Sequence, residues 1–165
     1  CSQKKDIEKE YYEWHEQWYQ EMKDKIAKNC VGSFKIKERI EIDSFCHKIV
    51  SVLGNCHKTT SLRNGRKQSE ILFCKNNSFE IRREYYPSRS IRFEGIFYRD
   101  KAFGWSTWFY RNSQIRERGI RFNGEKVAKW IEYDSFGMEL KTIIYPNIES
   151  LSENMLEHPK MPVWK

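Results

Sequence analysis

The chain lacks several features that would place it in a well-known class of protein. No run of apolar residues reaches the ~18–20 that a membrane-spanning helix needs. The sequence contains no phosphate-binding loop, dinucleotide-binding glycine pattern, nucleophile elbow or helical zinc motif. Its four histidines are scattered along the chain. We therefore expect no catalytic residues, no bound metal and no cofactor.

Aromatic and basic residues are abundant instead. The 165 residues are 39% hydrophobic and 15% aromatic, which fits one folded domain better than a disordered chain. Lys and Arg number 30 against 23 Asp and Glu, so the formal net charge is +7. The charge is concentrated in residues 81–130, which hold twelve basic and five acidic residues. This pattern favours a surface that meets an acidic protein partner, an anionic glycan or lipid headgroups.

The first thirty residues carry the pattern of an amphipathic helix. Apolar and aromatic residues follow one another at steps of three or four, the spacing of one helix face. Asp6 can cap the start, and no Pro or Gly interrupts the segment. We predict a helix over residues 6–30, preceded by a tether of residues 1–5. The stripe that packs on the rest of the protein consists of Ile7, Tyr11, Trp14, Trp18, Met22 and Ile26.

From residue 31 the pattern changes to the two-residue alternation of strands. Tight-turn residues such as Asn64-Gly65, inside the polar segment 57–68, separate the apolar segments. We predict an antiparallel meander over residues 31–146, and a short helix and tail over 147–165. The predicted fold class is α+β, with the helix packed on the sheet. The predicted strands are 34–42, 46–53, 69–74, 79–86, 90–99, 105–111, 114–122, 127–133 and 138–145.

Residues 91–140 contain a weak internal repeat. Residues 91–115 and 116–140 align with a period of 25, which places Trp105 on Trp130 and Trp108 on Tyr133. An asparagine-glycine turn, a central aromatic and a second glycine turn follow one another in the second copy. This pattern resembles a degenerate MORN-type repeat. The resemblance implies stacked β-hairpins in a scaffold, a protein-binding module or an antitoxin-like factor, and it implies binding rather than catalysis.

The first residues carry a second resemblance. The run Cys1-Ser2-Gln3-Lys4-Lys5-Asp6 is similar to the mature N-terminus of a Gram-negative envelope lipoprotein. The resemblance implies a lipid such as palmitate on Cys1, and a protein anchored to the outer membrane through that lipid. It leaves the membrane leaflet open. The alternative explanation for a Cys at position 1 is that the numbering starts at a proteolytic cleavage site or at the first ordered residue.

The remaining cysteines are Cys30, Cys46, Cys56 and Cys74. An even number allows two disulfides in three possible pairings, and four reduced thiols are the alternative. The neighbouring pairs Cys46-His47 and Cys56-His57 do not favour a metal site, because adjacent residues on a strand point to opposite faces.

Basic and aromatic side chains interleave on the predicted strands after residue 91. We interpret them as a surface that binds a protein partner, and the leading hypothesis is a non-catalytic accessory subunit of an envelope complex. An immunity protein that neutralises a toxin is one alternative, and a nucleic-acid-binding module is another. The second is less favoured, because the sequence lacks RRM, KH and cold-shock signatures. The candidate residues are Arg92, Tyr98, Arg99, Trp108, Tyr110, Arg116, Arg118 and Arg121.

Overall fold

The structure, a computed structural model, describes residues 2–75 and 78–145, with side chains from residue 9 onward. One helix, α1, spans Ser2–Asn29. Ten strands follow and form one sheet, in which each strand pairs antiparallel with the next in the chain. The strands are β1 (Lys35–Glu41), β2 (Cys46–Leu53), β3 (Cys56–Arg63), β4 (Arg66–Cys74), β5 (Phe79–Tyr85), β6 (Ile91–Tyr98), β7 (Lys101–Phe109), β8 (Ile115–Phe122), β9 (Glu125–Tyr133) and β10 (Glu139–Ile144).

The predicted α+β class is wrong, because the fold is mostly β. The described residues form one helix against ten strands, so helix and sheet are not balanced layers. The helix covers part of one sheet face, and the sheet supplies most of the chain. No helix within residues 2–75 and 78–145 is long and apolar enough to cross a membrane. Cys1 and the predicted C-terminal helix and tail lie outside the described residues.

The elements differ from the prediction at the start of α1, at β3, and at the starts of β4 and β7, which begin at Arg66 and Lys101 rather than at residues 69 and 105. Helix α1 begins at Ser2 rather than at Asp6, so residues 2–5 belong to the helix and not to a tether. Strand β3 was missed, because its segment is rich in Lys, Thr and Ser and shows no apolar alternation. The turn after it is as predicted. Asn64 and Gly65 have φ of 51° and 72°, the left-handed conformation that a two-residue hairpin turn requires.

The sheet contains a structural repeat with a period of 24 residues. The loops that begin at Tyr86, Tyr110 and Asp134 each close with a hydrogen bond from the first backbone N–H to the carbonyl four residues later, at 2.8–2.9 Å. Residues with positive φ recur at the same spacing, at Arg89, Ser113 and Gly137 and at Gly104 and Ala128. The register shifts after Gly95 and Gly119 also lie 24 residues apart.

The period of 25 inferred from the sequence is therefore one residue too long. A slip of one residue along a strand moves each side chain to the other face of the sheet. Trp105, which the alignment placed on Trp130, packs against α1, whereas Trp130 lies on the opposite face. The hairpin repeat is a feature of this structure, and the MORN resemblance itself stays a prediction.

Helix α1 crosses the strands rather than running along them. Its C-terminal end reaches β3 through Cys30, its middle lies over β6 through Tyr19 and Lys23, and its N-terminal half reaches β9 through Tyr12. The predicted stripe is largely confirmed, because Tyr11, Trp18, Met22 and Ile26 are buried; the side chain of Ile7 is not described. The sheet side of this core consists of Phe79, Ile81, Ile96, Phe103, Ile120 and Ala128.

A buried carboxylate joins the middle of α1 to the sheet. Glu94 on β6 accepts hydrogen bonds from the Tyr19 hydroxyl at 2.9 Å, from Lys23 Nζ at 2.6 Å and from Arg83 Nε at 2.7 Å. Burial opposes its negative charge, but the bonds from Lys23 and Arg83 outweigh that and hold the pKa of Glu94 below its usual value. Burial and the charge of Glu94 raise the pKa of Tyr19, so its hydroxyl stays a donor.

We expect Glu94→Gln to lower the free energy of unfolding by about 3 kcal/mol at pH 7, because two cations then lose their buried partner. A carboxyl whose pKa is lower in the folded state stabilises the fold above its unfolded pKa of about 4.3, and that stabilisation is lost as pH falls through the folded pKa. The difference between the two proteins should therefore shrink below about pH 4. Urea unfolding at a series of pH values measures it.

The matched control is Glu84→Gln, which removes the same charge from an exposed pair with Arg92. This variant should lower the free energy of unfolding by no more than about 1 kcal/mol, because exposed ion pairs contribute little to stability. Equal losses for the two variants at pH 7 would show that Glu94 does not hold α1 in place.

Candidate functional site

A cleft lies between the N-terminal half of α1 and strands β7 to β9. It encloses about 560 Å³, which is in the range of ligand-binding pockets, about 300–1,000 Å³. We call it the α1 cleft. Its lining residues are Lys9 and Tyr12 from α1, Trp105 from β7, Arg118 from β8, and Lys129, Ile131 and Tyr133 from β9.

A bulge in β9 holds α1 at this position. Gly119 on β8 pairs with Trp130, but the next residue, Ile120, pairs with Val127, so Ala128 and Lys129 have no partner on β8. The backbone N–H of Lys129 donates to the Tyr12 hydroxyl at 2.7 Å instead. Because an unpaired backbone donor is costly in a buried setting, the bulge requires a helix side chain here. The bulge therefore ties the N-terminal half of α1 to β9, beside the cleft.

The floor of the cleft is aromatic and carries a fixed cation. The Arg118 guanidinium lies 4.1 Å from the centre of the Trp105 ring, and its Nη2 is 2.9 Å from a carboxylate oxygen of Glu16. Tyr12 stacks with Trp105 at 6.0 Å between ring centres. The ring and the Glu16 carboxylate both contact the planar guanidinium, and about 30% of the Arg118 side chain is exposed. Such a group presents donors to a carboxylate or phosphate in a set direction.

Two lysines add positive charge to the rim. Lys9 makes an exposed contact of 3.6 Å with Glu13, one turn along α1. Lys129 has no ion pair among the residues that the structure describes. Three cations thus surround a floor of two aromatic rings and the Ile131 side chain. The arrangement can bind an anionic group that is joined to an apolar or flat one.

The structure does not bring the eight predicted contact residues to one surface. Only Arg118 lines the cleft. Arg116 is exposed further along β8, and Arg92 pairs with Glu84. Tyr98 packs between Phe79 and Phe103, and Arg99 lies in the β6–β7 turn. The Tyr110 hydroxyl donates to the Tyr133 carbonyl at 2.8 Å, and Tyr86 makes the equivalent bond to Phe109 one repeat earlier.

Trp108 and Arg121 lie on the face opposite α1. Trp108 contacts Phe93 and Trp130, with ring centres 4.6 and 5.9 Å apart. The Arg121 guanidinium lies 5.6 and 5.4 Å from the centres of the Trp108 and Trp130 rings. Trp130 is 1% exposed and lies against Gly119, where a Cβ would come within 2.2 Å of its ring. These residues pack this face of the sheet.

Sequence reasoning missed most of the cleft. Of its seven lining residues, only Arg118 was among the predicted contact residues. The available signal was the wide aromatic stripe of α1, which includes Tyr12. The contacts of that stripe depend on the β9 bulge, and a strand pattern does not reveal a bulge.

One of the two allowed disulfides is present. Cys30 is bonded to Cys56, whereas Cys46 and Cys74 are free. Cys46 pairs with Arg63 at the other end of β3, about 24 Å from the Cys56 and Cys74 pair, so it cannot bond to Cys74. Burial raises the pKa of the Cys74 thiol. His57 stacks on Phe73 at 5.1 Å on the opposite face from Cys56, as strand alternation predicts.

The bond between Tyr12 and the β9 bulge can be tested directly. We expect Tyr12→Phe to lower the free energy of unfolding by about 1–2 kcal/mol, because it leaves the Lys129 N–H without its acceptor. Tyr133→Phe removes a hydroxyl from the same cleft that makes no hydrogen bond within the described part of the chain, and it should cost less than about 0.5 kcal/mol. Urea unfolding followed by circular dichroism compares the two variants. Equal costs would mean that the bulge does not depend on Tyr12.

Comparison with known proteins gives no family. No family model matches the chain, and no curated protein matches it. Two solved structures of TarM, one of them a mutant of the S. aureus protein in complex with fondaparinux, α-GlcNAc-glycerol and UDP, are similar over 81% of this chain. Their identities are 11% and 10% and their TM-scores 0.38 and 0.37, and the chain spans 25% of their length. At this level of similarity they carry no argument about this protein.

Proposed function

We propose that this protein is a protein-binding domain, and that the α1 cleft docks an acidic segment of its partner. The observation that carries the proposal is the Arg118 guanidinium, which lies 4.1 Å from the centre of the Trp105 ring in a cationic, aromatic cleft. The predicted protein-binding role thereby gains a specific site. Attachment to a membrane through Cys1 stays a separate prediction from the sequence.

Charge supports an acidic ligand. Arg118, Lys9 and Lys129 line one cleft, and the carboxylates that meet two of them are Glu16 and Glu13 of α1, both more than half exposed. A partner carboxylate can replace Glu16 on Arg118 at little cost, because an exposed ion pair is weak. In the partly enclosed cleft, the new bond to Arg118 gains from the lower local dielectric.

The floor supports an apolar anchor beside the charge. Ile131, Tyr12 and Tyr133 offer apolar surface within the same cleft as the three cations. Aromatic and Arg side chains in one pocket are typical of the residues that dominate protein–protein binding energy. We therefore expect the docked segment to place an aromatic or aliphatic side chain next to an Asp or Glu.

The same geometry argues against nucleotide bases as the ligand. Arg118 covers the Trp105 ring, and Tyr12 packs against it. A base that stacked on Trp105 would have to displace one of them, whereas single-strand-binding proteins present open aromatic faces. A carboxylate needs no such displacement, because it binds the outward edge of the guanidinium.

A displayed library of random peptides, selected on the immobilised full chain, tests the proposal. We expect enrichment of peptides in which Asp or Glu neighbours an aromatic or aliphatic residue. Binding of a fluorescein-labelled enriched peptide should weaken about 10- to 100-fold in Arg118→Gln, which corresponds to the ~1.5–3 kcal/mol of a hydrogen bond to a charged group. Lys129→Gln should weaken it by a smaller factor.

The matched control is Arg92→Gln, which makes the same change of charge on the exposed part of β6. It should leave peptide binding unchanged. Enrichment without acidic residues, or equal loss in the Arg92 and Arg118 variants, would contradict the proposal. A labelled oligothymidine that binds more tightly than the best peptide, with steep salt dependence, would overturn it in favour of nucleic acid.

A further inference from the structure

Three cysteine sulfur atoms meet at the C-terminal end of α1. Cys30 directly follows the helix, Cys56 begins β3 and Cys74 ends β4, where it lies opposite Cys56 in the strand ladder. The Sγ atom of Cys74 is 3.4 Å from that of Cys56 and 3.6 Å from that of Cys30. The three sulfur atoms lie within 4.8 Å of one another. Three separate elements therefore supply one compact group of sulfur ligands.

A disulfide alone does not account for the third cysteine. The Cys30–Cys56 bond uses two of the three sulfur atoms. Cys74 is buried beside that bond, and the fourth described cysteine, Cys46, lies at the far end of β3. The cluster has the composition of a thiolate metal site, in which three sulfur atoms converge on one point.

We propose that the reduced protein binds one thiophilic metal ion, of the class of Zn²⁺ and Cu⁺, through the thiolates of Cys30, Cys56 and Cys74. A metal–sulfur distance of about 2.3 Å with tetrahedral angles separates the sulfur atoms by about 3.8 Å. The two distances to Cys74 differ from this value by only a few tenths of an ångström. Only the bonded pair, Cys30 and Cys56, has to separate.

Metal binding requires that an external dithiol first reduce the Cys30–Cys56 disulfide. The dithiol transfers two electrons and two protons to the Cys30–Cys56 bond and itself becomes a disulfide, which leaves two thiols beside the Cys74 thiol. Binding of the ion then displaces the three thiol protons to solvent. The oxidised and metal-bound forms exclude each other, because both use the sulfur atoms of Cys30 and Cys56.

The surroundings suit such an ion. Cys56 and Cys74 are buried, whereas Cys30 is half-buried and opens a path for the ion. The Asn29 carbonyl oxygen lies 3.0 Å from Cys56 Sγ and so places an oxygen atom beside the cluster. Lys28 and Lys75 flank the cluster in sequence and carry charge opposite to that of the thiolates.

Cadmium titration of the full chain tests the proposal, because thiolate-bound Cd²⁺ has a charge-transfer absorption in the ultraviolet. The protein is reduced with dithiothreitol, desalted without oxygen, and titrated with Cd²⁺ alone. We expect one equivalent to bind tightly, and the oxidised protein not to bind. Zn²⁺ and Cu⁺ are then added separately, and the ion that displaces Cd²⁺ at the lower concentration identifies the preferred metal.

Two serine variants supply the matched comparison. Cys74→Ser removes one ligand and keeps the Cys30–Cys56 disulfide, so its fold can be verified in the oxidised state. It should weaken Cd²⁺ binding at least ~100-fold. Cys46→Ser removes a free cysteine outside the cluster and should bind as the unchanged protein does. Failure of the reduced protein to bind, or equal affinity in Cys74→Ser and Cys46→Ser, would overturn the proposal.

Discussion

The buried carboxylate of Glu94 fixes the middle of α1 on the sheet, and a weaker, exposed ion pair of opposite polarity lies two helical turns towards the N-terminus. Glu94 on β6 meets Tyr19 and Lys23, while Arg118 on β8 meets Glu16. Glu16 and Lys23 are two helical turns apart, a rise of about 10.5 Å. Strands β6 and β8 are two strand spacings apart, about 9.6 Å. The charges match only when α1 crosses the strands in the observed direction, since the reverse direction would place Lys23 against Arg118.

This crossing places the two proposed sites at the two ends of one helix. The C-terminal end delivers Cys30 to Cys56 and Cys74, and the N-terminal half delivers Tyr12 to the β9 bulge. Each site takes residues from α1 and from strands that are distant in the sequence. On the face away from α1 the described residues place no helix, and there Trp108, Trp130 and Arg121 lie over one another.

The sequence predicted the elements better than it predicted their contacts. The helical stripe, the antiparallel order and nine of the ten strands could be predicted, because periodicity and turn residues depend on local sequence. The fold class was wrong because one helix does not make a second layer equal to ten strands. The α1 cleft could not be predicted, because it depends on the bulge at Ala128 and Lys129, where the alternation is interrupted. The repeat was found one residue out of register because its aromatic residues, Trp105 and Trp130, are not structurally equivalent.

The 24-residue repeat places side chains of different charge at equivalent positions under α1. Glu70, Glu94 and Arg118 occupy the same position in successive hairpins. Glu94 accepts hydrogen bonds from three donors on α1 and β5, so its carboxylate has no exposed edge that a ligand could contact. In the next hairpin this position carries the positive charge of Arg118. Helix α1 supplies only the exposed carboxylate of Glu16, and part of the guanidinium stays exposed. The candidate binding site therefore lies where the charge at this repeat position changes from negative to positive, and where α1 supplies too little opposite charge to neutralise it.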